Sequence, residues 1–238
     1  MTTLERVGRA AGWLLAPVTG SLSLVRQARM FHPEGTVYRA AIEPLPGPYA
    51  NVARRIEGPA LARLSTALWR SGREWPDALG VALRIGREPG VEARRGDQDL
   101  LFATIRFPWT MPFSPLSTRQ HDYLANDYFA VAPFEVEGVG RAKLRLRGHR
   151  PSGLRGHDRG AKLQEAIDRG EAVFRFELFV KGRWEPVAAV RLLKRIEVDQ
   201  AALRFWPERT GRGFVPRGFV EAMRRGTYFL SQAARPSR

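Results

Sequence analysis

The segment AVFRFELFVKGRWEPVAAVRLL, residues 172–193, contains two apolar runs that surround Lys181, Gly182 and Arg183. Valine, phenylalanine and tryptophan dominate the runs, and such β-branched and aromatic residues are enriched in strands. A glycine in a short polar connection is typical of the tight turn that joins two antiparallel strands. The segment therefore predicts a β-hairpin with strands at 172–181 and 184–193.

Similar apolar runs recur along the chain, with few helical segments between them. Further strands are predicted at 35–45, 78–86, 100–109 and 139–147, whereas 60–70 fits a helix or a strand equally well. Helices are predicted at 3–28, 117–127, 158–170 and 216–236. This order favours an α+β fold: an antiparallel β-barrel or sandwich with helices before, between and after the strands.

The composition limits the classes of function. With 238 residues and 44% hydrophobic residues, the chain can bury a substantial core in one domain. A net charge of +15 favours an anionic partner. However, only four of the 39 basic residues are lysines, and the arginines are spread along the whole chain. Genome composition therefore explains the excess of basic residues equally well. The sequence contains no recognised nucleic-acid module and no single basic stripe, so we do not expect nucleic-acid binding.

The absence of cysteine excludes disulfides, iron–sulfur clusters and thiolate zinc sites. The four histidines have no metal-ligand spacing. The apolar stretch 10–18 is too short to span a bilayer and contains Pro17. We expect a cytoplasmic protein whose N-terminal segment packs on the body of the molecule, with peripheral contact to an anionic membrane as the alternative.

The last predicted helix carries Arg224 and Tyr228, four residues apart and hence on one face. A neighbouring arginine stabilises the ionised form of a tyrosine. A phenolate is a suitable ligand for ferric iron, and tyrosine is a known axial ligand of haem. The alternative is a core tyrosine with a surface arginine.

Five segments, in order, resemble haem catalases. The distal histidine motif R-x-x-H-x-x-G is matched at Arg29, His32 and Gly35, and ARLST at 62–66 is similar to the catalase segment V-R-F-S-T. The other three are PDALGVALRIG (76–86), DLLFATIRFPW (99–109) and FVPRGFVEAMRRGTYFLSQAAR (214–235). The chain resembles a small catalase-related peroxidase. The resemblance implies one structural domain, with an N-terminal helical segment at 1–28, a catalase-like barrel at 29–205 and a C-terminal segment at 206–238.

The resemblance also implies a haem b site with defined roles. His32 would be the distal base that moves the proton of a bound hydroperoxide, and Ser65 would orient it. Tyr228 would be the proximal iron ligand, held as phenolate by Arg224. The haem propionates would pair with three arginines, namely Arg29, Arg63 and Arg235.

One departure bears on the reaction. Catalases carry a distal asparagine pair, and the aligned residues here are Ala103 and Thr104. Loss of the amide implies weak or no true catalase activity, and Thr104 would substitute in part. The resemblance thus implies a peroxidase that acts on hydrogen peroxide or on organic and fatty-acid hydroperoxides, with a reductant that the sequence does not identify.

The alternative function is a haem-free barrel that binds a lipid, a membrane surface or another anionic partner. Joint retention of His32, Arg224 and Tyr228 favours the haem protein. The oligomeric state does not follow from the sequence, which is compatible with a homo-oligomer.

Overall fold

The fold was determined from a computed structural model that describes residues 35–67, 74–107, 110, 113–130, 132–200 and 202–217. Within these ranges the strands are β1 Gly35–Pro44, β2 Gly58–Thr66, β3 Leu79–Ile85, β4 Gln98–Ala103, β5 Asp127–Phe129, β6 Phe134–Val136, β7 Gly140–His149, β8 Val173–Val180, β9 Arg183–Ile196 and β10 Phe214–Pro216. The helices are α1 Ala50–Ile56, α2 Ser114–Ser117 and α3 Arg159–Asp168, with a 3-10 helix at Tyr123–Ala125.

The described strands close into an antiparallel barrel. Its eight strands follow the order β1, β2, β3, β4, β5, β7, β8 and β9, and β9 pairs with β1 to complete the circle. The remaining two strands extend the sheet, since β6 pairs with the first residues of β7 and β10 pairs with β6. The predicted antiparallel barrel with attached helices is therefore confirmed.

The predicted hairpin is present as β8 and β9. Val180 lies opposite Arg183, so the connection contains only Lys181 and Gly182. Both connecting residues have positive φ angles, 50° and 84°. This is the conformation of a type I′ turn, whose twist matches that of the flanking strands.

The core fills the inside of the barrel with alternate residues of each strand. Phe176 packs edge-to-face against Phe102 and Phe214, with ring centroids 6.3 and 5.8 Å apart. Tyr128 packs against Phe174 at 5.8 Å, and its hydroxyl donates to the Tyr123 carbonyl at 2.8 Å. Phe214, near the end of the described residues, is fully buried in this core.

The predicted helix at 117–127 is wrong. The Asp122 side chain accepts from the Leu124 N–H at 2.8 Å, and the Asn126 amide exchanges two hydrogen bonds with the backbone of Arg119. Such local side-chain bonds compete with helix formation, and only the 3-10 helix Tyr123–Ala125 forms.

Other elements differ in smaller ways from their predictions. The ambiguous segment 60–70 is strand as far as Thr66, and α1, which follows the turn at 46–49, was not predicted. Pro216 belongs to β10 rather than to a helix, and the rest of the predicted helix at 216–236 lies outside the described residues, as does 3–28. In the described ranges, no helix is both long and apolar enough to cross a membrane.

A buried ion pair fastens the segment after β9 to the outside of the barrel. Arg84 on β3 and Asp99 on β4 have fully buried side chains, and two hydrogen bonds of 2.9 and 3.1 Å join them. Arg84 also donates to the Arg204 carbonyl, and Asp99 accepts from the Trp206 N–H and the Arg209 guanidinium, each at 2.7 Å. We call residues 197–213 the strap, since these bonds hold it across the barrel wall.

Replacing Arg84 by methionine is expected to lower the free energy of unfolding by about 3–5 kcal/mol, because Asp99 would remain as a buried charge without its main partner. Urea denaturation measures the loss. Arg183→Met is the matched control, since the ion pair of Arg183 with Glu185 is largely exposed on the arginine side and should contribute at most about 1 kcal/mol. Equal losses in the two variants would contradict the assigned role of the buried pair.

Candidate functional site

The outer face of β1–β4 carries a row of residues with little or no side chain. Gly35 lies opposite Ser65, Ser65 opposite Gly80, and Gly80 opposite Ala103, so these four residues stand level across four strands. Residues that are level in adjacent strands present their side chains to the same side of the sheet. We call this set the small-residue row. No bulky side chain protrudes from the barrel wall along this row.

One step along the strands, Arg63 provides a buried positive charge. Arg63 lies between Val37 and Ala82 in the next row of the same face. Only 3% of Arg63 is exposed, and its Nε donates to Oε1 of Gln200 in the strap at 3.2 Å. The row of small residues therefore borders a fixed guanidinium that can pair with an anionic group.

Gly35 is required for this arrangement. A Cβ at Gly35 would lie 2.6 Å from Cζ of Arg63 and 2.7 Å from the Leu64 carbonyl oxygen. Since the carbonyl belongs to the paired backbone of β2, the added atom cannot be accommodated by moving a flexible side chain alone. Glycine at this position thus lets the Arg63 guanidinium lie flat against β1.

Ser65 is buried in the same wall, with 4% of its surface exposed. Its hydroxyl donates to the Gly80 carbonyl at 3.4 Å. This is longer than an ordinary hydroxyl hydrogen bond and correspondingly weaker.

Thr104 does not join this row. It follows the last residue of β4, and its N–H donates to the Leu79 carbonyl, which continues the pairing with β3. Alternation along the strand directs its side chain away from the face of Ala103. The hydroxyl accepts from the Leu79 N–H at 3.1 Å and shares a 2.8 Å hydrogen bond with Thr118. Of the two residues aligned with the catalase asparagines, Ala103 is the one level with Ser65.

A second buried group close to Arg63 is the phenol of Tyr123. Burial raises the pKa of Tyr123, while Arg159 and Arg63 nearby lower it. The Arg159 guanidinium lies 5.8 Å from the centre of the Tyr123 ring. Burial outweighs these cations and keeps the Tyr123 phenol neutral near pH 7.

The other predicted site residues, Arg29, His32, Arg224, Tyr228 and Arg235, lie outside the described residues.

The described wall fits one side of a haem. A porphyrin needs a flat surface without protruding side chains, which the small-residue row supplies, and its propionates need buried cations, of which Arg63 is one. The proximal ligand lies outside the described residues. Among the described residues, no group of three or more His, Cys, Asp or Glu side chains could hold a metal ion.

Three residues that support the site were not identified from the sequence. Gly80 could have been, because glycine inside a strand often marks a close approach of another group. Gln200 and Thr118 could not, since each lies far along the chain from the residue that it contacts and only the folded barrel brings them together.

Comparison with known proteins gives a structural match without a sequence match. No family model matches the chain, and no curated protein matches it significantly. Among solved structures, a fungal catalase, whose crystal structure was determined at 1.9 Å, superposes with a TM-score of 0.59 at 12% sequence identity. The match covers 87% of this chain and 58% of the catalase, so the chain spans little more than half the length of that protein. The fold is therefore catalase-like.

Replacing Gly35 by alanine should lower the free energy of unfolding by about 1–3 kcal/mol, the usual cost of adding a methyl group to a tightly packed position. The control is Gly90→Ala, where the nearest atom to the new Cβ is 3.9 Å away. Chemical denaturation of both variants tests this. A Gly35→Ala protein as stable as Gly90→Ala would show that the contact with Arg63 is not tight.

Proposed function

We propose that this protein is a haem b peroxidase related to catalases, acting on hydrogen peroxide or on organic and fatty-acid hydroperoxides. The observation that carries the proposal is the register of β1 and β2. It sets Gly35 of the R-x-x-H-x-x-G motif against Ser65, on the face that also carries buried Arg63. The catalase-like fold of the barrel also supports the proposal.

The residues that would hold the haem come from both ends of the chain. Arg63 would pair with a propionate together with Arg29 and Arg235. Tyr228 would bind the iron, with Arg224 beside it to keep the phenol ionised. When bound, haem would supply a ferric iron to which a peroxide oxygen can bind. It would also take up the two oxidising equivalents released when the O–O bond breaks.

The chain itself would handle the proton. The neutral imidazole of His32 would accept the proton of the hydroperoxide and donate it to the departing oxygen. Ser65 would fix the ring of His32 by a hydrogen bond. A reductant would then complete the turnover.

The distal side favours peroxidase over catalase activity. Ala103, which is level with Ser65, has no polar atom in its side chain with which to hold a second peroxide. The Thr104 hydroxyl is engaged with Leu79 and Thr118. We therefore propose that true catalase turnover is weak and that Thr104 supports the barrel end rather than the distal pocket.

Titration of the purified full chain with haemin tests the proposal. The wild type is expected to develop a Soret band with high-spin ferric features, and Tyr228→Phe is expected to lose it, because phenylalanine cannot ligate iron. Tyr49→Phe is the matched control outside the proposed site. A wild-type protein that does not bind haemin would overturn the proposal in favour of the haem-free binding module, whereas an unchanged band in Tyr228→Phe would overturn the proximal ligand alone.

Replacing His32 by alanine should leave the haemin-loaded spectrum in place and reduce the rate of reaction with hydrogen peroxide by about 10²–10⁴-fold, the usual contribution of a general base. Stopped-flow absorbance records this rate without any added reductant. His157→Ala is the control, since this side chain is 87% exposed on a distant loop. A rate equal to that of the control would remove His32 from the reaction.

A further inference from the structure

The neighbouring part of the barrel wall carries a second surface with a different composition. On the outer face of β5, β7, β8 and β9, Lys143 is level with Phe179 and Trp184, and Phe129 is level with Arg145 and Glu177. We call the following set the aromatic–basic face: Phe129, Lys143, Arg145, Arg147, Arg175, Phe179 and Trp184. It adjoins the small-residue row, since Phe129 is paired with Ala103.

Three aromatic rings form a platform in this face. The Trp184 ring lies 5.2 Å from that of Phe179 and 6.1 Å from that of Phe129, measured between centroids. All three side chains are half-buried, so the rings are held in place by their neighbours and still reach solvent. The Trp184 ring is tilted by 54° to the Phe179 ring and by 59° to the Phe129 ring, so the rings present separate stacking surfaces.

Cations are interleaved with these rings. The Arg145 guanidinium lies 4.2 Å from the centre of the Trp184 ring, and the Lys143 ammonium lies 6.0 Å from that of Phe179. The acidic side chains Asp127 and Glu177 both bind Arg145, with hydrogen bonds of 3.2 and 2.8 Å. The carboxylates of this face are therefore used to position one arginine and do not neutralise the others.

Three further cations are exposed. Lys143, Arg147 and Arg175 form no ion pair with any residue that the structure describes, and each extends from the sheet into solvent. Lys143, Arg145 and Arg147 alternate along β7, so their Cα atoms are about 6.8 Å apart. Arg175 on β8 is level with Arg147 and widens the positive surface.

We propose that the aromatic–basic face binds single-stranded nucleic acid. Half-buried rings on a sheet can stack with unpaired bases, and a line of cations beside them can neutralise successive phosphates. This combination of stacking and charge is sequence-tolerant. The face meets the small-residue row at Phe129, and its cations lie one and two strands further round the barrel.

The composition of the face favours nucleic acid over a lipid surface. Membrane insertion requires protruding apolar side chains, but the rings here are half-buried and interleaved with cations. The large apolar side chains that do protrude in the described ranges belong to other segments: Trp75, Phe113 and Leu116, with Leu193 beyond the part of β9 that pairs with β8.

Fluorescence anisotropy with a labelled 15-nucleotide oligothymidylate tests the proposal on the full chain. The wild type should bind this probe more tightly than a duplex of equal length. The triple variant Lys143→Gln/Arg147→Gln/Arg175→Gln should bind the probe at least about tenfold more weakly. The slope of log K against log salt should fall by about 2, because three phosphate contacts are lost. Trp184→Ala should weaken binding by about tenfold at unchanged slope.

The control for net charge is Arg87→Gln/Arg95→Gln, two exposed arginines near the β3–β4 connection, across the barrel from β7 and β8. This variant should bind nearly as well as the wild type. The proposal is overturned if the control loses as much affinity as the triple variant, if the duplex binds as tightly as the single strand, or if only vesicles of anionic lipid bind. Thermal denaturation of each variant confirms that the barrel is folded.

Discussion

The buried pair of Arg84 and Asp99 is the interaction on which the arrangement of the molecule depends. Both charged groups are buried, and each is the main partner of the other. The strap supplies the remaining partners: the Arg204 carbonyl for Arg84, and the Trp206 N–H and Arg209 guanidinium for Asp99. A polar pair of this kind is satisfied in very few geometries. It therefore defines where the strap crosses the barrel, and the strap in turn carries Gln200 to Arg63 and packs Leu203 and Phe205 against Val37 and Leu61.

The closed barrel presents two unlike surfaces because each strand has one face towards the core and one towards the outside. On β1–β4 the small-residue row has no bulky side chain, and the row beside it carries the buried guanidinium of Arg63. On β5 and β7–β9 the outward positions are rings and exposed cations. One face suits a flat apolar ligand with anionic edges, and the other suits a long, flexible polyanion. The two surfaces meet where Ala103 on β4 is paired with Phe129 on β5.

The sequence pattern predicted the strands and turns well where the residues of an element themselves favour one local structure. The Lys181–Gly182 turn and the alternating runs around it have one favourable local structure, and the barrel follows from several such strands. The pattern failed where side chains bond to nearby backbone: Asn126 and Asp122 prevent the helix predicted at 117–127. It also missed the basic surface. In RAKLRLR (141–147) the cations are diluted by leucine and alanine in the sequence, and only the strand geometry gathers them on one side.

The sequence by itself determined the kind of secondary structure, the order of the motifs and the identity of the candidate haem residues, because these depend on local propensity and on residue type. Tertiary structure alone decided which residues are level with one another. It brought Ser65 to Gly35 and Ala103, directed Thr104 to Leu79 and Thr118, and buried Arg63 beneath Gln200. The physical reason is that strand register and barrel closure depend on pairing between residues distant in the chain. A shift of one residue would move every side chain of a strand to the other face.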